Sequence, residues 1–206
     1  MNKLQFTKCP LPLFHGTSTL FIDSIREFGL GGKDIIHDAN VLEFAQKIYP
    51  LVRDNLQHDN KFSVFSDMVN QTPLYQHGQA YVSLSYNYCT TFAEQRKFGS
   101  ELITYSLNYY EELLEKKLIS LDLLEKYPYL KQIRGLNPQK VIVKIKDIFF
   151  EDMLYVDGNE LTENDLELIK GIAELEESSA KESCKAGWEF RIKKPVSPPK
   201  IEFIYP

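Results

Sequence analysis

Two consecutive stretches near the start of the chain, LFHGTS at residues 13–18 and LFIDSIREFGL at residues 20–30, determine the predicted fold. The first predicts a buried strand that ends on a histidine and a glycine. The second predicts one helix, capped by the hydroxyl of Ser18 or Thr19 and ended by Gly29, which adopts positive φ without strain. A polar His-Gly pair at the end of a strand is typical of a ligand-binding edge and of a surface turn, and this stretch alone favours neither.

Length and composition predict a single domain, residues 1–206, with a substantial core. Of the 206 residues, 43% are hydrophobic and 13% aromatic, which is enough to bury a core of this size. No stretch approaches the roughly 20 apolar residues of a membrane span. Residues 1–20 lack the pattern of a secretory leader, since Pro10 and Pro12 interrupt them. We therefore expect a cytoplasmic protein with no membrane partner.

The charged residues are unevenly distributed. Residues 151–182 contain eleven acidic and two basic residues, a net charge of −9, and because the whole chain carries −5 the remainder carries +4. Such an acidic run is most often a solvated helix face, whereas the basic remainder leaves a nucleic-acid partner open. The three cysteines and the histidines outside the opening stretch have no metal-ligand spacing, so we expect reduced thiols and no metal.

Hydrophobic periodicity along the rest of the chain predicts an α+β domain of short strands and interspersed helices. The predicted strands cover residues 80–85, 102–107, 140–149, 153–156, 187–192 and 200–205. The predicted helices cover residues 40–49 (ending before Pro50), 51–56, 90–95, 111–129 and 163–177, the last capped by Thr162. At the level of the domain, this amounts to a helical insertion around 109–135 and an acidic helix around 162–177.

Three strand-borne features occur in a fixed order along the chain: His15-Gly16, then Tyr81 with Ser83, then Glu189 between two aromatic residues. Taken singly, each is better explained by an ordinary structural role. In this order they resemble the His-Tyr-Glu signature of the ADP-ribosyltransferase superfamily, in the branch of the poly(ADP-ribose) polymerases and diphtheria toxin. The resemblance spans most of the chain, and the order of the three features favours the functional interpretation.

The resemblance implies a fold of split mixed or antiparallel β-sheets with flanking helices, and NAD as a substrate without a metal. Glu189 would be the catalytic residue, because a carboxylate near the ribose stabilises the oxocarbenium-like state in which the nicotinamide–ribose bond breaks. His15 would hold the adenosine-side ribose, and the backbone of Gly16 would grip the nicotinamide carboxamide. The implied NAD-binding residues are His15, Gly16, Thr17, Tyr81, Ser83 and Phe92.

The resemblance also implies two aromatic rings that enclose the nicotinamide. Tyr81 and Phe92 stand eleven positions apart, which matches the spacing of these rings in the family. Phe92 occupies a position that is usually tyrosine, so it keeps the stacking surface and loses a hydroxyl. Cys89 occupies the place of a serine found before the second ring.

The expected activity is transfer of one ADP-ribose from NAD to a macromolecule. Gly187, two positions before Glu189, gives neither the Glu-x-Glu of arginine-modifying members nor the Gln-x-Glu of some base-modifying ones. The chain resembles toxins of bacterial toxin–antitoxin and phage-defence systems, which implies an antitoxin partner and favours an RNA or DNA acceptor over protein.

Three alternative functions remain at this level. The first is an ADP-ribosyltransferase whose acceptor is a protein side chain. The second is an NAD-dependent RNA 2′-phosphotransferase. That family has an arginine just before the first histidine and a second histidine at the position of Ser83. This chain departs from the pattern at both places, with Phe14 and Ser83. The third is a non-catalytic module that binds NAD or ADP-ribose, and such modules usually lack the carboxylate that Glu189 provides.

Overall fold

The computed structural model describes residues 7–176 and 178–206, and its centre is one antiparallel sheet of six strands. The strands are β1 (Leu13–Ser18), β2 (Ala80–Ser83), β3 (Lys140–Ile145), β4 (Met153–Tyr155), β5 (Glu189–Ile192) and β6 (Ile201–Ile204). Their order across the sheet is β4-β5-β2-β1-β3-β6. An α+β fold with an antiparallel sheet and flanking helices is therefore confirmed.

The sheet opens at its centre, between β1 and β2. Strand β1 pairs with β3 along its whole length, from Leu13 opposite Ile145 to Ser18 opposite Lys140. With β2 it shares a single registered pair, Phe14 opposite Ser83. In place of two separate sheets, the described strands thus form one sheet that parts along a central seam beyond this pair.

Nine α-helices surround the sheet within the described residues. They are α1 (Ile22–Phe28), α2 (Ile35–Asp38), α3 (Val41–Leu56), α4 (Phe62–Val69), α5 (Tyr86–Gln95), α6 (Glu101–Glu115), α7 (Pro128–Arg134), α8 (Glu163–Glu174) and α9 (Ser178–Lys185). None of the helices in this part of the chain is both long and apolar enough to cross a lipid bilayer.

The opening strand and helix form as the sequence predicts. Ser18 accepts a hydrogen bond from the N–H of Leu20 at 3.4 Å and starts a 3₁₀ turn that leads into α1. Gly29 ends α1 with φ of 81°. A β-carbon there would lie 2.2 Å from the carbonyl oxygen of Val196, so glycine is required both by the backbone conformation and by the close approach of that segment.

The predicted strand at residues 102–107 is wrong, because these residues belong to α6. Ser100 caps this helix by accepting a hydrogen bond from the N–H of Ile103 at 3.4 Å. The helix predicted at 111–129 accordingly begins earlier, at Glu101, and ends at Glu115. A 3₁₀ segment (Leu121–Lys126) and α7 follow, and Pro128 is the first residue of α7.

Two further helix boundaries differ from the prediction. Helix α3 continues through Pro50 to Leu56. Helix α5 begins at Tyr86 rather than near Thr90, since Ser85 caps it by accepting the N–H of Tyr88 at 3.1 Å. The acidic helix is α8, with Thr162 and Asp165 in a reciprocal capping box. Residue 177, at its predicted end, lies outside the described residues, as do residues 1–6.

The buried side chains form two main hydrophobic cores. One lies between the sheet and helices α1 and α8, and the other is entirely helical, between α3, α4, α6 and α7. The helical layer is therefore larger than an insertion around 109–135, because α3 and α4 contribute to it as well. A third, small cluster joins α5 to β1 and β3 through Phe14, Cys89, Ala93 and Ile142.

Candidate functional site

A cavity of about 410 Å³ lies at the open seam of the sheet. Its walls come from β1, β2, the start of β5, helices α5 and α6, residues 74–79 of the segment 71–79, and the stretch 21–36 that includes parts of α1 and α2. This volume falls within the range of small-molecule sites. The cavity brings together all seven residues of the predicted site: His15, Gly16, Thr17, Tyr81, Ser83, Phe92 and Glu189.

His15 bridges the seam with its side chain. Its Nδ1 lies 2.7 Å from the carbonyl oxygen of Tyr81. A carbonyl can only accept, so Nδ1 carries the proton and Nε2 is left as an acceptor. Burial lowers the pKa of His15 more than the bond to Tyr81 raises it, which keeps the ring neutral. A neutral imidazole acceptor suits a ligand hydroxyl.

Gly16 is required by packing within the protein. A β-carbon at this position would lie 2.3 Å from the carbonyl oxygen of Cys89 and 3.3 Å from the backbone nitrogen of Ala93. Helix α5 therefore rests directly on the backbone of β1. The absence of a side chain at Gly16 sets how closely α5 approaches the sheet, and with it the position of every α5 residue in the cavity wall.

The thiol of Cys89 fills the seam where β1 and β2 separate. Its Sγ donates to the carbonyl oxygen of Phe14 at 3.2 Å. Burial raises the pKa of this thiol to about 12, against the opposing effect of the backbone groups of Gly16 and Ser83. A thiol held protonated in this way is a structural group, not a nucleophile.

The ring and the hydroxyl of Tyr81 have different surroundings. The ring lines the cavity. The hydroxyl accepts the N–H of Gln76 at 2.7 Å and lies 3.1 Å from the carbonyl oxygen of Leu74. Tyr81 thereby fastens the segment 71–79, which forms one wall of the cavity, to strand β2.

The ring of Phe92, the second predicted ring, packs against the side chain of Arg96. The guanidinium of Arg96 lies 5.4 Å from the centre of the Phe92 ring and 4.9 Å from that of Tyr105. Arg96 in turn pairs with the carboxylate of Glu101, with Nε 2.9 Å from the carboxylate oxygen. The stacked guanidinium fixes the ring in the cavity wall.

The hydroxyls of Thr17 and Ser83 are engaged with the protein itself. Thr17 donates to the carbonyl oxygen of Gly99 at 3.3 Å. Ser83 donates to the carbonyl oxygen of Trp188 at 3.0 Å and accepts the N–H of Ser85 at 3.1 Å. Both side chains are buried, so their geometry suits the positioning of neighbouring strands.

Glu189 is the first residue of β5 and lies opposite Ser83. Its carboxylate reaches the cavity, and Oε2 accepts a hydrogen bond from the hydroxyl of Tyr88 at 3.0 Å. From the sequence, Tyr86 and Tyr88 were only less favoured substitutes for Phe92 as the second ring, and the contact of Tyr88 with Glu189 was not predicted. The signal that identifies it is the spacing of Tyr88 and Phe92, which places both on one helix face once α5 is known to begin after Ser85.

His77 is a second feature of the site that the sequence analysis did not assign to it. It lies in the cavity wall, half-buried, with Nε2 2.9 Å from the carbonyl oxygen of Met68. Its neighbour His37 is exposed and bonded to Asp34, with Nδ1 2.5 Å from the carboxylate oxygen. The bond to Met68 fastens the far end of the segment 71–79 to α4, and the ring of His77 lies edge-on to that of His37 in α2, with the ring centres 6.3 Å apart. Within the residues that the structure describes, no three potential ligands lie close enough to hold a metal ion.

Comparison of the chain with protein-family models, with curated proteins and with solved structures finds no match.

Proposed function

We propose that the protein is an NAD-dependent mono-ADP-ribosyltransferase, which cleaves the nicotinamide–ribose bond and transfers ADP-ribose to a macromolecule. The observation that carries the proposal is the convergence of His15, Tyr81, Phe92 and Glu189 on one cavity from three strands and a helix far apart in the sequence. These are the residue types selected by the His-Tyr-Glu resemblance.

The chemical character of the cavity supports binding of a dinucleotide with a flat, cationic pyridinium ring, which departs as neutral nicotinamide when its bond to the ribose breaks. Two aromatic rings, those of Tyr81 and Phe92, supply faces for nicotinamide. The neutral imidazole of His15 presents Nε2 to a ribose hydroxyl. The carboxylate of Glu189 is the group suited to a second ribose.

The proposed reaction needs stabilisation of positive charge that develops on the ribose as nicotinamide leaves. A carboxylate close to the ribose supplies this stabilisation in the transition state, as in glycoside hydrolysis. Glu189 also accepts a hydrogen bond from the ribose 2′-hydroxyl and orients the incoming nucleophile. His15 contributes to binding, so its loss raises KM, whereas the loss of Glu189 lowers kcat.

For the acceptor we propose a base in RNA or DNA. The positive balance of the chain outside residues 151–182 supports this choice over a protein side chain. We further propose that the protein acts in the cytoplasm as a toxin or defence effector held in check by an antitoxin protein.

The test is incubation of the protein with NAD labelled in the adenosine part and with a cell lysate. The wild type is compared with Glu189→Gln, which keeps the size of the side chain and removes its charge. We expect the wild type alone to transfer label to macromolecules and to release free nicotinamide. Release of no nicotinamide by the wild type would overturn the proposal.

Digestion of the labelled product identifies the acceptor. Label released by nuclease and resistant to protease supports a nucleic-acid base, and the opposite pattern supports a protein. Arrest of growth on expression of the wild type, with normal growth on expression of Glu189→Gln, supports the toxin role. Equal growth of both strains contradicts it.

A further inference from the structure

The carboxylate of Glu189 is one member of a ring of four hydrogen bonds, which is closed through the covalent chain. Ser83 donates to the carbonyl oxygen of Trp188, the residue before Glu189, at 3.0 Å. The N–H of Ser85 donates to Ser83 at 3.1 Å, and Ser85 in turn accepts the N–H of Tyr88 at 3.1 Å. The hydroxyl of Tyr88 closes the ring on Oε2 of Glu189 at 3.0 Å. The start of strand β5 and the first turn of α5 are thus held in a fixed position relative to each other.

We infer that Tyr88 is a positioning residue for Glu189, holding one carboxylate oxygen so that the other is directed at the reacting ribose. The inference rests on the proposed function. A carboxylate on a side chain with three rotatable bonds needs such a restraint to meet one atom of a ligand. Because Tyr88 is anchored through the Ser85 cap, the restraint comes from a fixed helix terminus.

The protonation of Tyr88 suits this role. Burial raises the pKa of its phenol, and the charges of Glu189 and Glu101, together with Cys89, raise it further. These are the titratable groups that face the phenol from β5, from α6 and from its own helix. The hydroxyl therefore keeps its proton at neutral pH and acts as a donor to the carboxylate.

A positioning role and a binding role predict different kinetics. Tyr88 is half-exposed at the edge of the cavity, and its hydroxyl is directed at Glu189. Loss of the hydroxyl should therefore affect the step in which Glu189 acts and leave NAD binding almost unchanged.

The experiment compares Tyr88→Phe with Tyr86→Phe in the release of nicotinamide from NAD. Tyr86 is a matched control, since it lies in the same helical turn and its ring packs edge-on against Phe14 at 5.5 Å. For Tyr88→Phe we expect kcat to fall roughly 10- to 100-fold, the effect of losing one hydrogen bond to a charged group, with KM within about threefold of the wild type. Tyr86→Phe should keep both constants.

Three results would overturn the inference: an unchanged kcat in Tyr88→Phe, a change in KM alone, or an equal loss of kcat in Tyr86→Phe. Thermal unfolding of both variants identifies any loss of fold. A wild type that releases no nicotinamide overturns the proposed function, and the inference with it, whereas an active wild type with an equally active Tyr88→Phe overturns the inference alone.

The contact between Tyr88 and Glu189 can also be tested without an activity measurement. In protein labelled with ¹³C at the tyrosine ζ-carbon, NMR at neutral pH resolves the resonances of individual phenols, assigned from the Tyr86→Phe and Tyr88→Phe variants. We expect the Tyr88 resonance to shift in Glu189→Gln, because its hydroxyl loses a charged acceptor at 3.0 Å, while the Tyr86 resonance stays in place. An unchanged Tyr88 resonance would show that the contact is absent and would overturn the inference.

Discussion

His15 and Tyr81 are joined side chain to backbone, with Nδ1 2.7 Å from the carbonyl oxygen, at the seam where strands β1 and β2 separate. The imidazole thus satisfies a carbonyl beyond the single registered β1–β2 pair, and it keeps the two strands together while leaving a cavity between them.

The first prediction concerns the dependence of stability on pH. The pKa of His15 is lowered in the folded protein, mainly by burial, from an ordinary value of 6.5. The unfolded chain therefore binds more protons as the pH falls through 6.5, so the free energy of unfolding should decrease on acidification. His77, whose pKa is lowered as well, contributes with the same sign.

The measurement is urea unfolding of the wild type and of His15→Gln at pH 7.5 and pH 5.5. His15→Gln should lose less stability between the two pH values than the wild type does. An equal loss in both proteins would mean that His15 is not buried as a neutral ring.

The second prediction concerns the contact between β1 and α5. Gly16→Ala places a methyl group 2.3 Å from the carbonyl oxygen of Cys89, and helix α5 must move to relieve the clash. We expect a loss of about 1–3 kcal/mol in the free energy of unfolding, typical of overpacking. The control is Gly171→Ala at an exposed position of helix α8, where a β-carbon meets nothing within 4 Å and higher helix propensity should add roughly 0.5–1 kcal/mol. Similar effects of both substitutions would contradict the packing argument.

The third prediction concerns Ser83, which is buried beside the catalytic candidate. Ser83→Ala leaves the N–H of Ser85 without its partner and removes one of two donors to the carbonyl of Trp188, which still accepts the N–H of Leu84 at 3.2 Å. The expected cost is roughly 1–3 kcal/mol in the free energy of unfolding, as for unsatisfied buried groups. Chemical denaturation measures it. A neutral substitution would contradict the prediction and show that these hydrogen bonds contribute little to stability.

The fourth prediction concerns the wall formed by the segment 71–79. Tyr81→Phe keeps the ring in the cavity and removes the hydroxyl that accepts the N–H of Gln76. Hydrogen–deuterium exchange should become faster in this segment and remain unchanged in the central strand β3. Unchanged exchange at Gln76 would show that the segment is held by other contacts, such as that of His77 with Met68.

The sequence predicts the strand and helix within residues 13–30 correctly, whereas it predicts the first half of α6 incorrectly as a strand. Residues 102–107 include Ile103, Thr104 and Tyr105, which favour strands, and all six are buried. A helix buried on every side has no polar face, so periodicity cannot distinguish it from a buried strand. The cap at Ser100 and the length of the helix to Glu115 become decisive only in the folded structure.

Tertiary packing also explains α3, in which Pro50 does not end the helix. A proline in the helix interior costs about 3 kcal/mol. Ile48, Val52 and Leu56 nevertheless remain in phase on the buried face, while Pro50 is exposed. Burial of that continuous face outweighs the lost hydrogen bond, which a local sequence pattern cannot predict.

The residues selected from the sequence line one cavity in the fold, whereas the contacts that they make could not be predicted. The order of His15, Tyr81 and Glu189 pointed to one cavity, and all three line it. The role of Tyr88 depends on where α5 begins, and the packing role of Gly16 depends on how closely α5 approaches β1. Both are properties of three-dimensional packing.

The central claim, that this cavity binds NAD and that Glu189 acts on it, is tested most directly by measuring NAD binding and nicotinamide release together in the wild type and in Glu189→Gln. We predict that both proteins bind NAD with similar affinity and that the wild type alone releases nicotinamide. Absence of binding by either protein, or release by Glu189→Gln at the wild-type rate, would contradict the claim.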